Sequence, residues 1–154
     1  MDEKITYMHS ALEEANSCIA RDEVPIGAVL VERDTGKIVA QAGNRTRELA
    51  DPTAHAEMLV IRQHCEKLGV QRLPEYDLYV TLEPCPMCAA AISYARINTL
   101  YIGASDPKSG GVISGPFLYE HSQLHHKPQV VSDLISDECG QILTEFFKKK
   151  RKLR

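Results

Sequence analysis

The sequence lacks the long apolar runs that would place a protein in a membrane. None of its runs approaches the roughly 20 apolar residues that a transmembrane helix needs. The opening residues, Met1 to Lys4, are followed by no apolar segment of the secretory type. Internal repeats and low-complexity linkers are absent as well. These absences exclude membrane-spanning and repeat classes, and a cytoplasmic location is expected.

A disulfide framework is not expected from the cysteines. The chain has 5 Cys at scattered positions, and this odd number argues against paired bridges and for a reducing compartment. Cys85 and Cys88 have the spacing of metal ligands. The other three, which are expected to be small buried residues, are Cys18, Cys65 and Cys139.

Positive charge is scarce except at one end of the chain. The net charge is −3, from 18 basic and 21 acidic residues. Six of the basic residues lie within residues 148–154, which contain no acid, so the rest of the chain has a net charge of −9. An acidic body with a basic C-terminal tail is compatible with nucleic acid that docks at this end.

The apolar content is sufficient for one domain, residues 1–154, with a sizeable core. Hydrophobic residues are 44% of the chain and charged residues 25%, which is ordinary for a globular protein. Strand-length apolar runs alternate with segments of helical periodicity. The predicted helices are residues 3–20, 55–68, a segment after Pro86 and one after Ser136; the predicted strands are residues 26–31, 37–42, 77–82, 98–103 and 129–132. This pattern predicts an α/β fold with a mixed five-stranded sheet between helices.

Two of these helices have a predicted apolar face and a predicted end. The stripe of the helix after His55 consists of Met58, Ile61, Cys65 and Leu68, and Gly69 is expected to end that helix. Ser136 is expected to cap the last helix. The apolar face of the last helix consists of Ile142, Leu143, Phe146 and Phe147. Residues 111–128 are weakly patterned, and no element is assigned to them.

Two short segments carry side chains with metal-binding chemistry, His55-Ala56-Glu57 and Pro84-Cys85-Pro86-Met87-Cys88. Catalytic zinc sites use three protein ligands and keep a fourth position for water, which fits His55, Cys85 and Cys88. Glu57 then remains as the general acid/base that moves the proton of a zinc-activated water. The alternative is a structural zinc site or a thiol pair. Structural sites usually have four protein ligands, and no fourth His or Cys lies near these segments in the sequence.

The spacing of the ligands has a local physical reason. Cys-x-x-Cys brings two sulfur atoms to one metal when the first Cys lies at a helix N-terminus, and Pro84 and Pro86 favour such a start. The positive end of the helix also favours thiolates. Residues 51–53 predict a second helix start just before His55. Two helix N-termini are therefore predicted to meet at one metal.

The ordered segments resemble the bacterial tRNA-specific adenosine deaminases of the cytidine/deoxycytidylate deaminase superfamily. His-x-Glu followed by Pro-Cys-x-x-Cys is the signature of zinc-dependent nucleobase deaminases. The likeness extends over nearly the whole chain, through residues 24–29, 43–44, 51–57, 81–89, 103–106 and the Phe-Phe pair before the basic tail. It implies a three-layer α/β/α cytidine-deaminase-like fold, one zinc ion per subunit and a homodimer. The implied reaction converts the wobble adenosine of an arginine tRNA to inosine, with zinc-bound hydroxide attacking the base C6 and Glu57 as proton shuttle.

The resemblance also assigns residues that contact RNA. Asn44 and the backbone of Ala56 would hold the base, although a turn-forming Asn is the alternative from the residues alone. Asp106 and Lys108 would contact neighbouring nucleotides. The residues expected beside the anticodon loop are Phe146, Phe147, Lys149 and Arg151. At least one Phe is also expected to pack mainly in the core, and a solvated, disordered end is the alternative for the basic tail.

One departure from the family pattern and two other functions remain open. Residues 111–128 do not match the family pattern, so their role is not assigned. A deaminase of a free base, such as guanine or cytosine, would need a small closed pocket and no basic tail. A non-catalytic zinc-containing RNA-binding protein would have no need of the Glu57 carboxylate.

Overall fold

The structure is a computed structural model that describes residues 2–153; Met1 and Arg154 lie outside the described part. Within residues 2–153 the elements are α1 (Glu3–Ala20), β1 (Gly27–Glu32), β2 (Ile38–Gly43), α2 (Ala56–Leu68), β3 (Tyr76–Leu82), α3 (Pro86–Tyr94), β4 (Thr99–Ala104), β5 (Gln129–Val131) and α4 (Ser136–Lys152). A 3₁₀ turn, Leu118–Glu120, lies in the segment that had no assignment. Among these residues no helix is both long and apolar enough to cross a membrane.

The strands of residues 2–153 form one mixed five-stranded sheet in the order β2-β1-β3-β4-β5. β1 pairs antiparallel with β2 and with β3, whereas β3, β4 and β5 run parallel. Leu82 at the end of β3 pairs with Ala104 at the end of β4. The segments that follow these two strands therefore begin side by side at one edge of the sheet.

Helices cover both faces of this sheet, which confirms the predicted three-layer α/β/α architecture. Because successive strand residues point to opposite faces, the central strands β1, β3 and β4 contribute to two cores. The face under α2 and α3 buries Ala28, Leu30, Leu78 and Val80. The opposite face, under α1 and α4, buries Val29, Val31, Tyr79 and Tyr101. Gly27 allows α1 to lie close to β1, since a Cβ atom there would be 1.9 Å from the carbonyl oxygen of Ala11.

The ends of the helices follow local chemistry, with one correction. The side chain of Asp2 accepts a hydrogen bond of 2.9 Å from the N–H of Lys4 and so caps α1. Gly69 ends α2 in the left-handed conformation, with φ of 69°, as predicted. The predicted cap by Ser136 is wrong, because the N-cap residue of α4 is Ile135, which makes no side-chain cap hydrogen bond.

The apolar stripe predicted on α2 is not the buried face of that helix. The residues of α2 that are buried are Ala56, Glu57, Val60 and His64. Burial of His64 is compatible with its polarity because its Nε2 lies 2.9 Å from the hydroxyl of Tyr76. Ile61 and Cys65 are partly buried at the core edge, and Leu68 is 48% exposed. Periodicity identifies an apolar face but does not say whether this chain covers it.

Candidate active site

The predicted ligands come together at the starts of α2 and α3. His55 and Cys85 are the N-cap residues of these helices. The Nδ1 atom of His55 lies 3.6 Å from the sulfur of Cys85 and 3.4 Å from the sulfur of Cys88. Among the described residues, these three form the group whose ligand atoms converge, all within 4.8 Å of one another.

The size of this cluster fits a zinc ion. With ordinary Zn–N and Zn–S bonds, a tetrahedral ion separates a nitrogen ligand from a sulfur ligand by about 3.5 Å. Both His55–Cys distances agree with that value. Sulfur and imidazole nitrogen are also the ligand types that zinc prefers. The residues present therefore suit zinc in both chemistry and spacing.

The pKa values of Cys85 and Cys88 shift in opposite directions. A hydrogen bond from Cys88 lowers the pKa of Cys85 to about 4, although burial acts in the opposite direction and the His55 ring adds a further lowering. The same hydrogen bond, together with burial, raises the pKa of Cys88. Bonding to Cys85 raises the pKa of His55. One sulfur of the pair is therefore held as a thiolate, which is the form that binds metal.

Glu57 lies in the first turn of α2, two residues after His55, and is 3% exposed. Burial raises the pKa of Glu57 to about 7, and the neighbouring His55 acts in the opposite direction. A carboxyl group with a pKa near neutrality can both accept and release a proton at physiological pH. The position and environment of Glu57 thus suit proton transfer beside the ligand cluster.

Asn44 is fixed beside the same cluster. It is 6% exposed, and its Oδ1 accepts a hydrogen bond of 2.8 Å from the backbone N–H of Ala56. Its own backbone N–H donates to the carbonyl of Ile26, and its carbonyl accepts from the guanidinium of Arg21. The side-chain amide is thereby oriented, with its oxygen toward the start of α2. The backbone of Ala56 was expected to hold the base, and its N–H group donates to Asn44.

A groove of about 640 Å³ separates the loop after β4 from the C-terminal half of α4. Its apolar floor and wall consist of Val24, Ile26, Leu82, Leu143 and Phe147. Its polar and charged residues are Asp106, Lys108, Ser109, Lys150 and Arg151. A second cavity of about 500 Å³ adjoins it, because Phe147 and Lys150 line both, and Phe146 and Arg47 also line the second. The apolar lining with cations at its edge suits unstacked bases and their phosphates.

Most of the residues predicted to contact RNA line these two cavities. Asp106, Lys108, Phe147 and Arg151 line the first, and Phe146 lines the second. Lys149 is exposed and is not among the lining residues.

The C-terminal helix itself requires one correction. Phe147 is 44% exposed and Phe146 is half-buried at the cavity, so the expectation that one of them packs mainly in the core is wrong. Residues 148–152 continue α4 as helix. The basic tail, up to its last described residues, is therefore an extension of α4 rather than a disordered end.

Three charged residues near the site were missed by the sequence analysis. Lys150 lines both cavities and forms an ion pair with Asp22. Glu23 and Glu83 are 1% and 2% exposed and accept hydrogen bonds from the loops beside the site. The one sequence signal for the two acids is that each lies beside an apolar strand, where a buried charge needs several donors.

Comparison with known proteins agrees with this arrangement. A family model described as MafB19-like deaminase matches residues 1–151. The chain is 58% identical over 151 residues to a tRNA-specific adenosine deaminase of Agrobacterium fabrum, a match that covers 98% of each protein. It is 44% identical over 146 residues to a tRNA-specific adenosine deaminase of Bacillus subtilis, covering 95% of this chain and 89% of the relative. A solved structure from studies of A-to-I editing by tRNA:A34 deaminases at the wobble position of transfer RNA matches with a TM-score of 0.87 and 59% identity, over 90% of this chain and 99% of that one.

Proposed function

The chain belongs to the tRNA-specific adenosine deaminases, and we propose that it converts the adenosine at the wobble position of a tRNA anticodon, that of an arginine tRNA, to inosine. The observation that carries the proposal is the buried Glu57 beside the converging His55, Cys85 and Cys88, in a chain with these relatives. The reaction adds water to C6 of the base and releases ammonia. We propose that residues 1–154 form one deaminase domain that carries out this reaction in the cytoplasm.

His55, Cys85 and Cys88 are proposed to hold one zinc ion. Zinc bound there would supply a water molecule of lowered pKa. Glu57 accepts a proton from that water while the water oxygen bonds to C6 of the base. Glu57 then passes the proton to the adjacent ring nitrogen. Glu57 then provides a proton to the exocyclic nitrogen as the C6–N bond breaks, so that nitrogen leaves as ammonia. Its burial keeps bulk water away from both transfers.

Asn44 is proposed to orient the base in this site. Its Oδ1 is used by the N–H of Ala56, so the amide N–H₂ is the part of the side chain that can donate to a purine nitrogen. Because Ala56 lies between His55 and Glu57, the same hydrogen bond ties the base-reading residue to the ligand cluster. The base, His55 and Glu57 are then positioned by the start of α2, while Cys85 and Cys88 come from the start of α3.

The two cavities along α4 are proposed to receive the nucleotides that flank the reacting adenosine. Phe146 and Phe147 offer ring faces to unstacked bases, and their rings meet edge to face with centroids 5.4 Å apart. Asp106 and Lys108 contact neighbouring nucleotides from the opposite wall. Arg151 faces a phosphate in the groove, and Lys149, which is exposed outside the lining, makes a weaker phosphate contact. An open groove with aromatic and basic walls suits an anticodon loop better than a free base, which would need an enclosed pocket.

We propose that the protein forms a homodimer and that the outer face of α2 and α3 is its interface. Leu68 is 48% exposed and Tyr94, at the end of α3, is 71% exposed. Ile61, Ala91 and Tyr94 line a shallow cavity between the two helices. A second copy that buried the partly exposed stripe of α2 would remove this apolar surface from water. Light scattering should then give a mass twice that of one chain.

The experiment that tests the proposal offers the protein four substrates in parallel. These are an anticodon stem-loop with adenosine at the wobble position, free adenosine, guanine and cytosine. We expect inosine at the wobble nucleotide and no change in the free compounds. Deamination of a free base alone would support the small-molecule enzyme, and binding of the stem-loop without any deamination would support a non-catalytic RNA-binding protein.

A further inference from the structure

Glu83 is a buried carboxylate that the proposed reaction does not use. It lies between the end of β3 and the Cys85 segment and is 2% exposed. Among the ion pairs of the described residues, none involves Glu83. A buried charge without a cation needs hydrogen-bond donors instead, and the identity of those donors indicates what the charge stabilises.

All of these donors belong to the segment that follows β4. Oε1 accepts hydrogen bonds from the N–H of Asp106 at 2.9 Å and from the hydroxyl of Ser114 at 3.0 Å. Oε2 accepts from the N–H groups of Val112 and Ile113 at 3.1 and 2.9 Å. Glu83 therefore holds both ends of the loop of residues 106–114.

Two glycines allow this loop to close on Glu83. A Cβ atom at Gly110 would lie 2.3 Å from the carboxyl carbon of Glu83. A Cβ atom at Gly111 would lie 2.8 Å from the backbone of Pro86, in the first turn of α3. The loop backbone thus packs directly on the carboxylate and on the helix that follows Cys85.

The outer part of the same loop faces the groove. The side chain of Asp106 accepts hydrogen bonds from the N–H groups of Lys108 and Ser109, at 3.2 and 3.1 Å. These three residues line the groove opposite Phe147 and Arg151. The position of this groove wall consequently depends on the buried Glu83, which lies two residues before the proposed zinc ligand Cys85.

We propose that Glu83 is a positioning residue for the substrate: it fixes the loop of residues 106–114 so that Asp106 and Lys108 grip the single-stranded RNA nucleotide next to the reacting adenosine. The proposal rests on the proposed function. It makes Glu83 necessary for binding RNA rather than for proton transfer. It also gives residues 111–114, the start of the unassigned segment, a defined task, which is to anchor the groove wall.

The test compares Glu83→Gln with the wild-type protein on the wobble-adenosine stem-loop. In the variant an amide N–H₂ replaces one acceptor oxygen and faces N–H donors, so one end of the loop is released. We expect KM to rise by about tenfold or more, the effect of losing a charge-assisted hydrogen bond, while kcat stays within about threefold. Zinc content should remain one per chain, and amide hydrogen exchange at Val112 and Ile113 should become faster.

A matched pair of glycine variants addresses the loop without removing the acid. Gly110→Ala places a Cβ against Glu83 and should raise KM as Glu83→Gln does. Gly140 lies in the second turn of α4, and a Cβ atom there would lie 3.8 Å from the nearest atom, the Cβ of Ala104. Gly140→Ala should therefore leave KM unchanged. If Glu83→Gln does not fold, Ser114→Ala, which removes a single donor, should raise KM by a smaller factor.

The outcomes separate this proposal from the proposed function. If the wild-type protein forms no inosine, the proposed function fails, and the exchange rates at Val112 and Ile113 still report whether Glu83 holds the loop. If the wild type is active and Glu83→Gln keeps its KM, the positioning role is overturned. A loss of kcat at unchanged KM, or of zinc, would also overturn it, because Glu83 would then act on the chemistry or on the metal site.

Discussion

The side-chain oxygen of Asn44 accepts a hydrogen bond of 2.8 Å from the backbone N–H of Ala56, which joins the end of β2 to the first residue of α2. Both residues are buried, so this contact is protected from water. It holds the side chain of Asn44 at the start of α2, where Ala56 lies between His55 and Glu57. The contact therefore has a structural part, through the oxygen, and a proposed substrate-binding part, through the amide N–H₂.

Two substitutions of Asn44 separate these parts. Asn44→Ala should lower the free energy of unfolding by about 1–3 kcal/mol, because the buried N–H of Ala56 loses its acceptor. Asn44→Asp keeps an acceptor but has no N–H₂, so it should be nearer to wild type in stability and lose about tenfold or more in kcat/KM. Urea unfolding and steady-state kinetics on the stem-loop measure the two effects. Full activity of Asn44→Asp would contradict the base contact.

The ligand assignment predicts different metal contents for two cysteine variants. Cys88→Ser removes a ligand and should abolish stoichiometric zinc binding, whereas Cys65→Ser, half-buried in α2 and outside the cluster, should retain one zinc per chain. Mass spectrometry of metals after gel filtration gives the ratio. Removal of zinc from the wild type with a chelator should lower its thermal stability, since a ligand that binds the native state stabilises it. Zinc at full occupancy in Cys88→Ser would disprove the assignment.

The geometry of the C-terminal helix predicts that two neighbouring cations, Lys149 and Arg151, contribute differently to RNA binding. Arg151 lines the groove and Lys149 does not, although both are exposed and carry the same charge. Arg151→Gln should weaken binding of the stem-loop and reduce the slope of log affinity against log salt concentration by about 0.7, the value for one contact to single-stranded RNA. Lys149→Gln should change both quantities less. Fluorescence anisotropy over a salt series measures them.

Equal effects of the two substitutions would mean that the charge of the tail acts without regard to position. Deletion of residues 148–154 should weaken binding further and flatten its salt dependence, because it removes Lys150 and Arg151 together. Unchanged binding by the truncated protein across the salt series would remove the basic end from the interface.

Glu23 predicts a dependence of stability on pH. Burial acts to raise the pKa of Glu23, but hydrogen bonds from the N–H groups of Glu48 and Arg47 and from the hydroxyl of Thr46 outweigh it and hold that pKa below its ordinary value. A carboxylate with a lowered pKa in the folded state contributes stability above its ordinary pKa, and this contribution is lost as the pH falls through the lowered value. The free energy of unfolding should thus fall below about pH 4–5.

Glu23→Gln lacks this contribution, so it should be less stable than the wild type at pH 7 and closer to it near pH 3. Urea unfolding of both proteins at the two pH values gives the comparison. A stability difference of the same size at both values would show that the ionised form of Glu23 is not the stabilising one.

The helices, strands and ligand cluster could be predicted because each depends on local sequence. The apolar run around Val29 and Leu30 and the Cys85-Pro86-Met87-Cys88 spacing can be recognised without knowing the rest of the fold. Glu23 and Glu83 could not be assigned in this way, because their donors lie more than 20 residues away in sequence. A buried acid does not contribute to an apolar pattern in the sequence. Its role can be recognised only in the folded chain, where distant loops donate hydrogen bonds to it.

The faces of the helices show a second limit. Leu68 belongs to an apolar stripe but is exposed, and Phe147 belongs to one but lines a groove. Both residues are apolar, but neither is covered by the core of this chain. Apolar periodicity does not distinguish a helix face that packs in the core from an exposed face that could bind a second copy or RNA bases.

The most direct test of the account is inosine formation at the wobble nucleotide by wild type, Glu57→Gln and Glu66→Gln. Glu66 is on the same helix as Glu57 but is exposed, so it is a matched control. We predict that all three proteins hold one zinc per chain, that the wild type and Glu66→Gln form inosine at similar rates, and that Glu57→Gln is slower by about 10²–10⁴-fold or inactive. Inosine formation by Glu57→Gln at the wild-type rate would contradict the proposed chemistry.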